Sequence, residues 1–219
     1  MIDADEWPYS FNTIAPAAQL HALGQITLVF NYLEESIGNI FKVAMPTNSA
    51  FSEALYHKLN NRDRVDLLAA IVRESSKEDD IKEAILHLLT CYSICADNRN
   101  ILMHAILESA DADIISLSKK ASRDPTRLIE FRIPLVDLRA VADEMAKTFV
   151  YAMRLQSAMD ARSRPKTELS GLIPRSFQTD GMLESFAALP SQPPKPKALT
   201  PYQASATQGA EFTPQSSED

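Results

Sequence analysis

The sequence predicts an all-α protein, an antiparallel bundle of about five helices with a small β-hairpin insertion and a disordered C-terminal tail. Apolar residues recur at spacings of three and four over most of residues 15–162, which is the helical period. Around residues 113–133 apolar and polar residues alternate instead, as in a hairpin. Residues 163–219 carry eight of the thirteen prolines and are rich in Ser, Gln and Ala, a composition that cannot bury enough apolar surface to fold.

The first three helices are predicted from apolar stripes and capping residues. Pro16 suits the first turn of a long helix that runs to about Ala44. Asn48 or Ser49 can cap a shorter helix through about Leu59, and "NNRDRV" opens a third. The stripe of the first helix comprises Leu23, Ile26, Phe30, Leu33, Ile37 and Ile40, and that of the third comprises Val65, Leu68 and Val72.

Two further helices flank the predicted hairpin. Ser76 is expected to cap the fourth helix, which runs to about Glu108. Pro134 opens the last helix, which runs to about Ala161. The stripe of the fourth helix comprises Ile81, Ile85, Leu88, Tyr92, Cys95, Leu102 and Ile106, and that of the last comprises Leu138, Val141, Met145, Phe149 and Ala152.

Composition and charge limit the classes of protein to be considered. Apolar residues make up 45% and charged residues 23%, as in ordinary globular proteins. No apolar run approaches the roughly eighteen residues of a membrane span, and residues 1–14 lack the basic and apolar regions of a secretory signal. Two cysteines do not make a disulfide framework. We therefore expect a cytoplasmic protein without membrane contact.

The net charge of −7 argues against broad, non-specific binding to nucleic acid. One segment, from Lys119 to Arg132, has a local excess of basic residues. Two interpretations stay open for it: a solvated turn, or a site where Lys119, Lys120 and Arg123 contact RNA phosphates. The same choice applies to Arg62 and Arg64, which begin the third helix.

Polar residues interrupt the fourth helix at "DNRNILMHAIL". Arg99 falls on the core stripe, and a buried arginine is costly unless it is paired, with Glu34 of the first helix as one candidate partner. Asn100 and His104 share a face, about 40° apart, and Asp97 lies on nearly the same line. Arg99 is about 140° from His104, so both reach one phosphate only if the arginine arm curls round or a second copy faces the first.

"RNILMH" matches the R-x(4–6)-H pattern, with a polar residue directly after the arginine, of the HEPN superfamily (higher eukaryotes and prokaryotes nucleotide-binding domain). The chain resembles that family over about residues 15–161, where a helical bundle carries the motif on a long, late helix. The resemblance implies a metal-independent endoribonuclease without a cofactor, often a toxin or defence effector. It also implies a homodimer in which two motifs line one cleft, RNA or a nucleotide as ligand, and an antitoxin or other protein as partner.

Carried onto this sequence, the resemblance assigns a role to each residue of the motif. His104 takes the 2′-hydroxyl proton or protonates the leaving 5′-oxygen, since an imidazole titrates near neutral pH. Arg99 stabilises the charge that builds up on the phosphoryl oxygens. Asn100 orients His104 or the RNA. The expected products are a 2′,3′-cyclic phosphate and a 5′-hydroxyl end.

Three alternative interpretations accompany this one. The same fold can serve as a non-catalytic module that binds a nucleotide or a protein. A helical dimerisation protein whose Pro-rich tail recruits a partner is also compatible with the sequence. His87, Cys91 and Cys95, spaced by four on one helix face, suit either metal ligation or a helix core, and without a second cysteine cluster no metal is assigned.

Overall fold

The computed structural model describes residues 15–45, 47–121, 124, 126–163, 185 and 187–203. The described chain folds into helices and one small antiparallel sheet. The elements are α1 Ala17–Ala44, α2 Ser49–Lys58, α3 Asn61–Glu74, α4 Asp79–His104, β1 Ile106–Ala110, β2 Ile114–Lys120, β3 Leu128–Pro134 and α5 Leu135–Ser163. The predicted helices are confirmed, but the prediction of an all-α class is wrong, because three strands form a sheet of their own.

The long helices α1, α4 and α5 enclose the core, and α3 packs on α4. Ile26, Phe30, Leu33 and Ile37 of α1 are at most 2% exposed, which confirms the predicted stripe. Each such side chain contributes about 1.5–3 kcal/mol when it leaves water. In the part of the chain that the structure describes, no helix combines the length and the apolar character that a bilayer crossing requires.

The helices α2 and α3 begin at asparagine caps, whereas α4 begins at a different residue from the one predicted. Asn48 accepts a hydrogen bond from Phe51 N at 2.8 Å and caps α2, while Asn60 caps α3. The fourth helix begins at Asp79 rather than after Ser76, so the predicted capping box is wrong. Two carboxylates in the first turn of α4 favour this start electrostatically.

The sheet is larger than the predicted hairpin. β2 and β3 form that hairpin, with Ile115 opposite Ile133, and β1 adds a third strand in which Ile106 pairs with Ser118. The fourth helix therefore ends at His104, not near Glu108. Backbone pairing with β2 replaces the helical hydrogen bonds that the helical period had predicted for these residues. The buried apolar residues of the sheet are Ile115, Leu117, Phe131 and Ile133.

Residues 187–203 are the main described part of the predicted tail, and they lie against the folded body. Asn98 of α4 holds this segment twice, since its Nδ2 donates to Lys197 O at 2.9 Å and its Oδ1 accepts from Leu199 N at 2.8 Å. Farther along, Tyr202 N donates to Glu130 O of β3 at 2.7 Å. The composition predicted a disordered tail, but this segment has defined partners on the body. The N-terminal extension and the remainder of the tail lie outside the described residues.

Candidate functional site

Arg99, Asn100 and His104 meet near the C-terminal end of α4. Arg99 Nη1 donates to Asn100 Oδ1 at 3.3 Å and lies 3.3 Å from His104 Nε2. His104 comes five positions after Arg99, so the arginine side chain curls round the helix to make this contact. The residues of the motif are therefore brought together within one copy of the chain.

The arginine is anchored over an aromatic ring. Arg99 Cζ lies 5.7 Å from the ring centroid of Phe30, and that ring stacks on Tyr92 with a centroid separation of 5.8 Å. Arg99 Nε is buried and has no hydrogen-bond partner among the described residues, whereas His104 is exposed. One edge of the guanidinium is thus held inside while Nη1 reaches the surface beside the imidazole.

The contact has a chemical consequence for His104. An arginine only donates hydrogen bonds, so His104 Nε2 must carry a lone pair when it faces Arg99 Nη1. The remaining imidazole proton is then on Nδ1, a tautomer that the hydrogen-bond geometry assigns. If the guanidinium turns its hydrogen bond from His104 to the anionic group of a ligand, the Nε2 lone pair becomes available to accept a proton from that ligand.

The sequence suggested Glu34 as a partner of Arg99, but Glu34 pairs with Arg64 of α3 instead. Arg64 also donates from Nε to Tyr56 O at 2.9 Å and lies 4.1 Å above the Tyr56 ring. Burial raises the pKa of Tyr56 to about 12, so its hydroxyl stays protonated and donates to Glu34 O. Arg64 therefore links α1, α2 and α3. Of the two arginines at the start of α3 that were predicted to contact RNA, Arg62 is the one that faces the surface.

A groove of about 670 Å³ runs between α3 and α4 and reaches the motif. We call it the α3–α4 groove. Its lining includes Asn61, Arg62, Tyr92, Ser93, Asp97 and Asn100. Arg62 is 90% exposed at its side chain and lies 3.9 Å from Asp66. Two residues singled out from the sequence, Asp97 and Arg62, thus border one groove that begins at Asn100.

Strand register places two of the predicted basic residues near the motif. Ser118 lies opposite Ile106, so Lys119 and Lys120 come at the end of the sheet where α4 gives way to β1. Two residues of chain on either side of this cross-strand pair put the Cα of Lys120 within about 20 Å of the Cα of His104. Arg123 lies outside the described residues. Two lysines therefore add positive charge at the same end of the molecule as His104.

His87, Cys91 and Cys95 have partners other than a metal. His87 Nε2 lies 2.9 Å from Pro193 O of the docked segment and 3.5 Å from Cys91 Sγ. Cys95 Sγ lies 3.9 Å from Thr148 Oγ1, and burial raises the pKa of this thiol to about 12. Over the described ranges, no cluster of three His, Cys, Asp or Glu side chains is arranged to hold a metal ion.

Sequence reasoning missed the role of Asn98. The core stripe of α4 passes through Asn98, which is 2% exposed, rather than through the half-buried Arg99. A signal was present, because Cys91, Cys95, Asn98 and Leu102 keep the spacing of a buried helix face. A polar residue at such a position indicates a specific partner.

Comparisons with protein-family models, with curated proteins and with solved structures found no match to this chain.

Proposed function

We propose that this protein is an endoribonuclease that cleaves RNA by attack of the 2′-hydroxyl on the adjacent phosphate. The observation that carries the proposal is the position of Arg99 Nη1, 3.3 Å from both Asn100 Oδ1 and His104 Nε2. This places a cation, an amide and a proton acceptor at one exposed point. The sequence pattern "RNILMH" and its resemblance to the HEPN superfamily support the same function.

Each residue has a distinct task in the proposed reaction. Once Arg99 has turned its hydrogen bond from His104 to the bound phosphate, His104 Nε2 accepts the proton of the 2′-hydroxyl while the 2′-oxygen forms a bond to phosphorus. Arg99 donates hydrogen bonds to the phosphoryl oxygens, where negative charge builds up, and Asn100 keeps the guanidinium in place. The bond from phosphorus to the 5′-oxygen breaks, and that oxygen takes a proton from a second His104 imidazole that enters the reaction protonated. The products are a 2′,3′-cyclic phosphate and a 5′-hydroxyl. In this scheme side chains carry out both proton transfers.

The geometry of this reaction favours a homodimer. In an in-line displacement the attacking 2′-oxygen and the leaving 5′-oxygen lie on opposite sides of the phosphorus. One imidazole at one point cannot serve both, so a second group must protonate the leaving oxygen. A second copy of the motif, related by a two-fold axis, would supply it, and two cations would then face one phosphate.

The acidic chain makes a narrow substrate more reasonable than indiscriminate degradation. With a net charge of −7, RNA attraction depends on the motif and on the nearby Lys119 and Lys120. A structured RNA loop presented to one cleft fits this distribution better than long, unstructured RNA. The setting that we propose is that of a toxin or defence effector, held in check by an antitoxin or another protein.

The test is cleavage of total RNA by the purified protein in the presence of EDTA. We expect fragments that end in a 2′,3′-cyclic phosphate, and we expect Arg99→Ala and His104→Ala each to slow cleavage at least a hundredfold. The matched controls are Arg139→Ala and His57→Ala, which remove an exposed arginine and an exposed histidine from elsewhere on the surface.

Three outcomes separate this function from its alternatives. Equal cleavage by His104→Ala and the wild type would overturn the catalytic assignment. No cleavage combined with stabilisation of the protein by a nucleotide would favour a non-catalytic binding module. No cleavage and no stabilisation, with a protein partner that is lost when residues 187–203 are removed, would favour the dimerisation protein.

A further inference from the structure

The docked segment, residues 187–203, contacts the folded body with every third residue between 190 and 199. The residues at this spacing are buried or half-buried, and the six residues between them are exposed. The contacting residues are Pro190, Pro193, Pro196 and Leu199. A period of three is that of a polyproline II helix, in which every third residue lies on one face. Because prolines favour this conformation before binding, such a segment loses little entropy when it docks.

The body recognises the main chain of the docked segment. A polyproline II helix has no internal hydrogen bonds, so its N–H and C=O groups need outside partners. His87 of α4 donates to Pro193 O at 2.9 Å, and Glu144 of α5 accepts from Lys197 N at 2.8 Å. With the bonds of Asn98 and of β3 described above, five main-chain groups of the segment are satisfied. Recognition of the main chain does not restrict the site to one sequence.

The surface under the segment is formed by α4, α5 and β3, and we call it the α4–α5 groove. Its side chains that contact the segment include His87, Asn98, Arg132 and Glu144. The segment has two lysines and no acidic residue, whereas the whole chain has a net charge of −7. This charge difference favours a basic ligand in the groove.

The docked segment fills the groove only in part. A cavity of about 80 Å³ remains beside Ala198 and Leu199, and Ile133 and Val141 also line it. Residues 164–186 separate the segment from the end of α5, so the segment can leave the groove without unwinding that helix. A ligand within the same chain has an effective concentration of roughly millimolar, so incomplete contacts are enough to hold it. A peptide with a better fit can therefore replace it.

We propose that the α4–α5 groove binds a basic, proline-rich peptide of a partner protein, and that residues 187–203 occupy it as a competing ligand. The contacting residues give the expected pattern of the peptide, Pro-x-x-Pro-x-x-Leu, with lysine at intervening positions. Main-chain recognition, the cavity beside Leu199 and the charge difference support a ligand from another protein. This inference is independent of the proposed ribonuclease function.

Fluorescence anisotropy of a labelled peptide with the sequence of residues 187–203 tests the inference. The receptor is the full chain with Pro196→Gly and Leu199→Ser, which weaken the hold on its own segment; we call it the released-segment variant. We expect it to bind the peptide at least tenfold more tightly than the wild type, in which the segment competes. A peptide with the same two changes should bind at least tenfold more weakly. Equal binding of the two peptides, or by the two receptors, would overturn the inference.

Asn98→Ala and Asn100→Ala, each added to the released-segment variant, locate the binding site on α4. Asn98 bonds to the main chain of the segment, so its removal should weaken peptide binding about fivefold or more. Asn100 bonds to Arg99 instead, and its removal should leave peptide binding unchanged. Equal losses in the two variants, or no loss with Asn98→Ala, would count against the groove as the binding site.

Hydrogen exchange of the wild type tests the competition without a substituted receptor. In an isotope-labelled chain, the segment is distinguished by mass from an added peptide of the same sequence. Peptide at a concentration of roughly 1 mM should displace the segment and make exchange at its Leu199 amide at least threefold faster. The altered peptide should have no effect. The same exchange rate with and without the unaltered peptide would contradict the inference, even if the released-segment variant failed to fold.

A second copy of this chain presents the same segment and is the alternative occupant. Sedimentation of the wild type and of the released-segment variant distinguishes the two. Dimers that form only in the wild type would assign the groove to a second copy and overturn the assignment to a partner protein. The same oligomeric state in both proteins would support the partner peptide, because the segment would then not link the copies.

Discussion

Asn98 and Arg99 are neighbours in sequence, but they serve different sides of α4. Asn98 binds the backbone of Lys197 and Leu199, while Arg99 lies over Phe30 and reaches His104. One turn of helix therefore carries both the clamp for the docked segment and the cation of the candidate site. Because the two side chains point in directions about 100° apart, each can be altered without removing a contact of the other.

Asn98→Ala should loosen residues 187–203. It removes a donor and an acceptor from Lys197 O and Leu199 N, and each lost hydrogen bond is worth about 1 kcal/mol. We expect hydrogen exchange in the segment that contains Leu199 to become about tenfold faster or more. Asn100→Ala is the control, since Asn100 bonds to Arg99 rather than to this segment. Unchanged exchange in the Asn98 variant would mean that packing of Leu199, not the clamp, holds the segment.

Arg99→Lys should reduce cleavage at least tenfold without a large change in melting temperature. A guanidinium has a planar fork that bonds Asn100 and faces His104 from one nitrogen while its plane stays over Phe30. An ammonium keeps the charge but not this shape. Single-turnover cleavage measures the effect. Wild-type rates in the lysine variant would show that charge alone suffices and that the fork is unnecessary.

Much of the helical scaffold could be predicted from the sequence, because its signals are local. The apolar period of the first helix and the caps at Asn48 and Asn60 act within a few residues of where they lie in the chain. β1 and the docked segment depend on partners distant in sequence. The helical period continued to Ile106, but pairing with Ser118 decided its conformation. Local patterns carry no information on that partner.

The three residues of the motif lie together in the structure, but the partner predicted for Arg99 was wrong. The motif located Arg99, Asn100 and His104, and the structure brings these three together. The partner expected for Arg99, Glu34, belongs to Arg64, because the start of α3 lies across from the middle of α1. From the sequence alone, several carboxylates on one helix are equally good candidates to pair with a given arginine. Only the packing of a second helix against the first decides which of them does so.

Arg64→Met should lower the free energy of unfolding by about 2 kcal/mol, since it leaves Glu34 and Tyr56 O without their shared donor. The pair is partly buried, with side chains 11% and 35% exposed. A double-mutant cycle with Glu34→Gln, measured by urea unfolding, should give a coupling energy of more than about 0.5 kcal/mol.

Arg62 and Asp66 provide the control cycle for that ion pair. They lie 3.9 Å apart on the same helix, but their side chains are 90% and 73% exposed. Solvent screening should bring their coupling energy close to zero. If both cycles gave the same coupling, the burial of Arg64 against Tyr56 would not be the source of its strength.

Gly24 and Gly38 both lie inside α1, and substitution by alanine should affect them in opposite directions. A Cβ at Gly24 meets no atom within 4 Å, so Gly24→Ala should raise the free energy of unfolding by about 0.5–1 kcal/mol through helix propensity. A Cβ at Gly38 would lie 3.1 Å from Tyr56 Cε1. The ring cannot move freely, because its hydroxyl donates to Glu34 O at 2.7 Å and Arg64 stacks on its face.

In Gly38→Ala the contact with Tyr56 should therefore outweigh the gain in helix propensity and lower the free energy of unfolding by about 1 kcal/mol. The two substitutions gain the same helix propensity, so the difference between them isolates the contact with Tyr56. Urea unfolding of both variants measures it. Equal stabilisation by the two alanines would show that the ring can shift at no cost. In that case the contacts of Tyr56 with Glu34 and Arg64 would not be fixing its position.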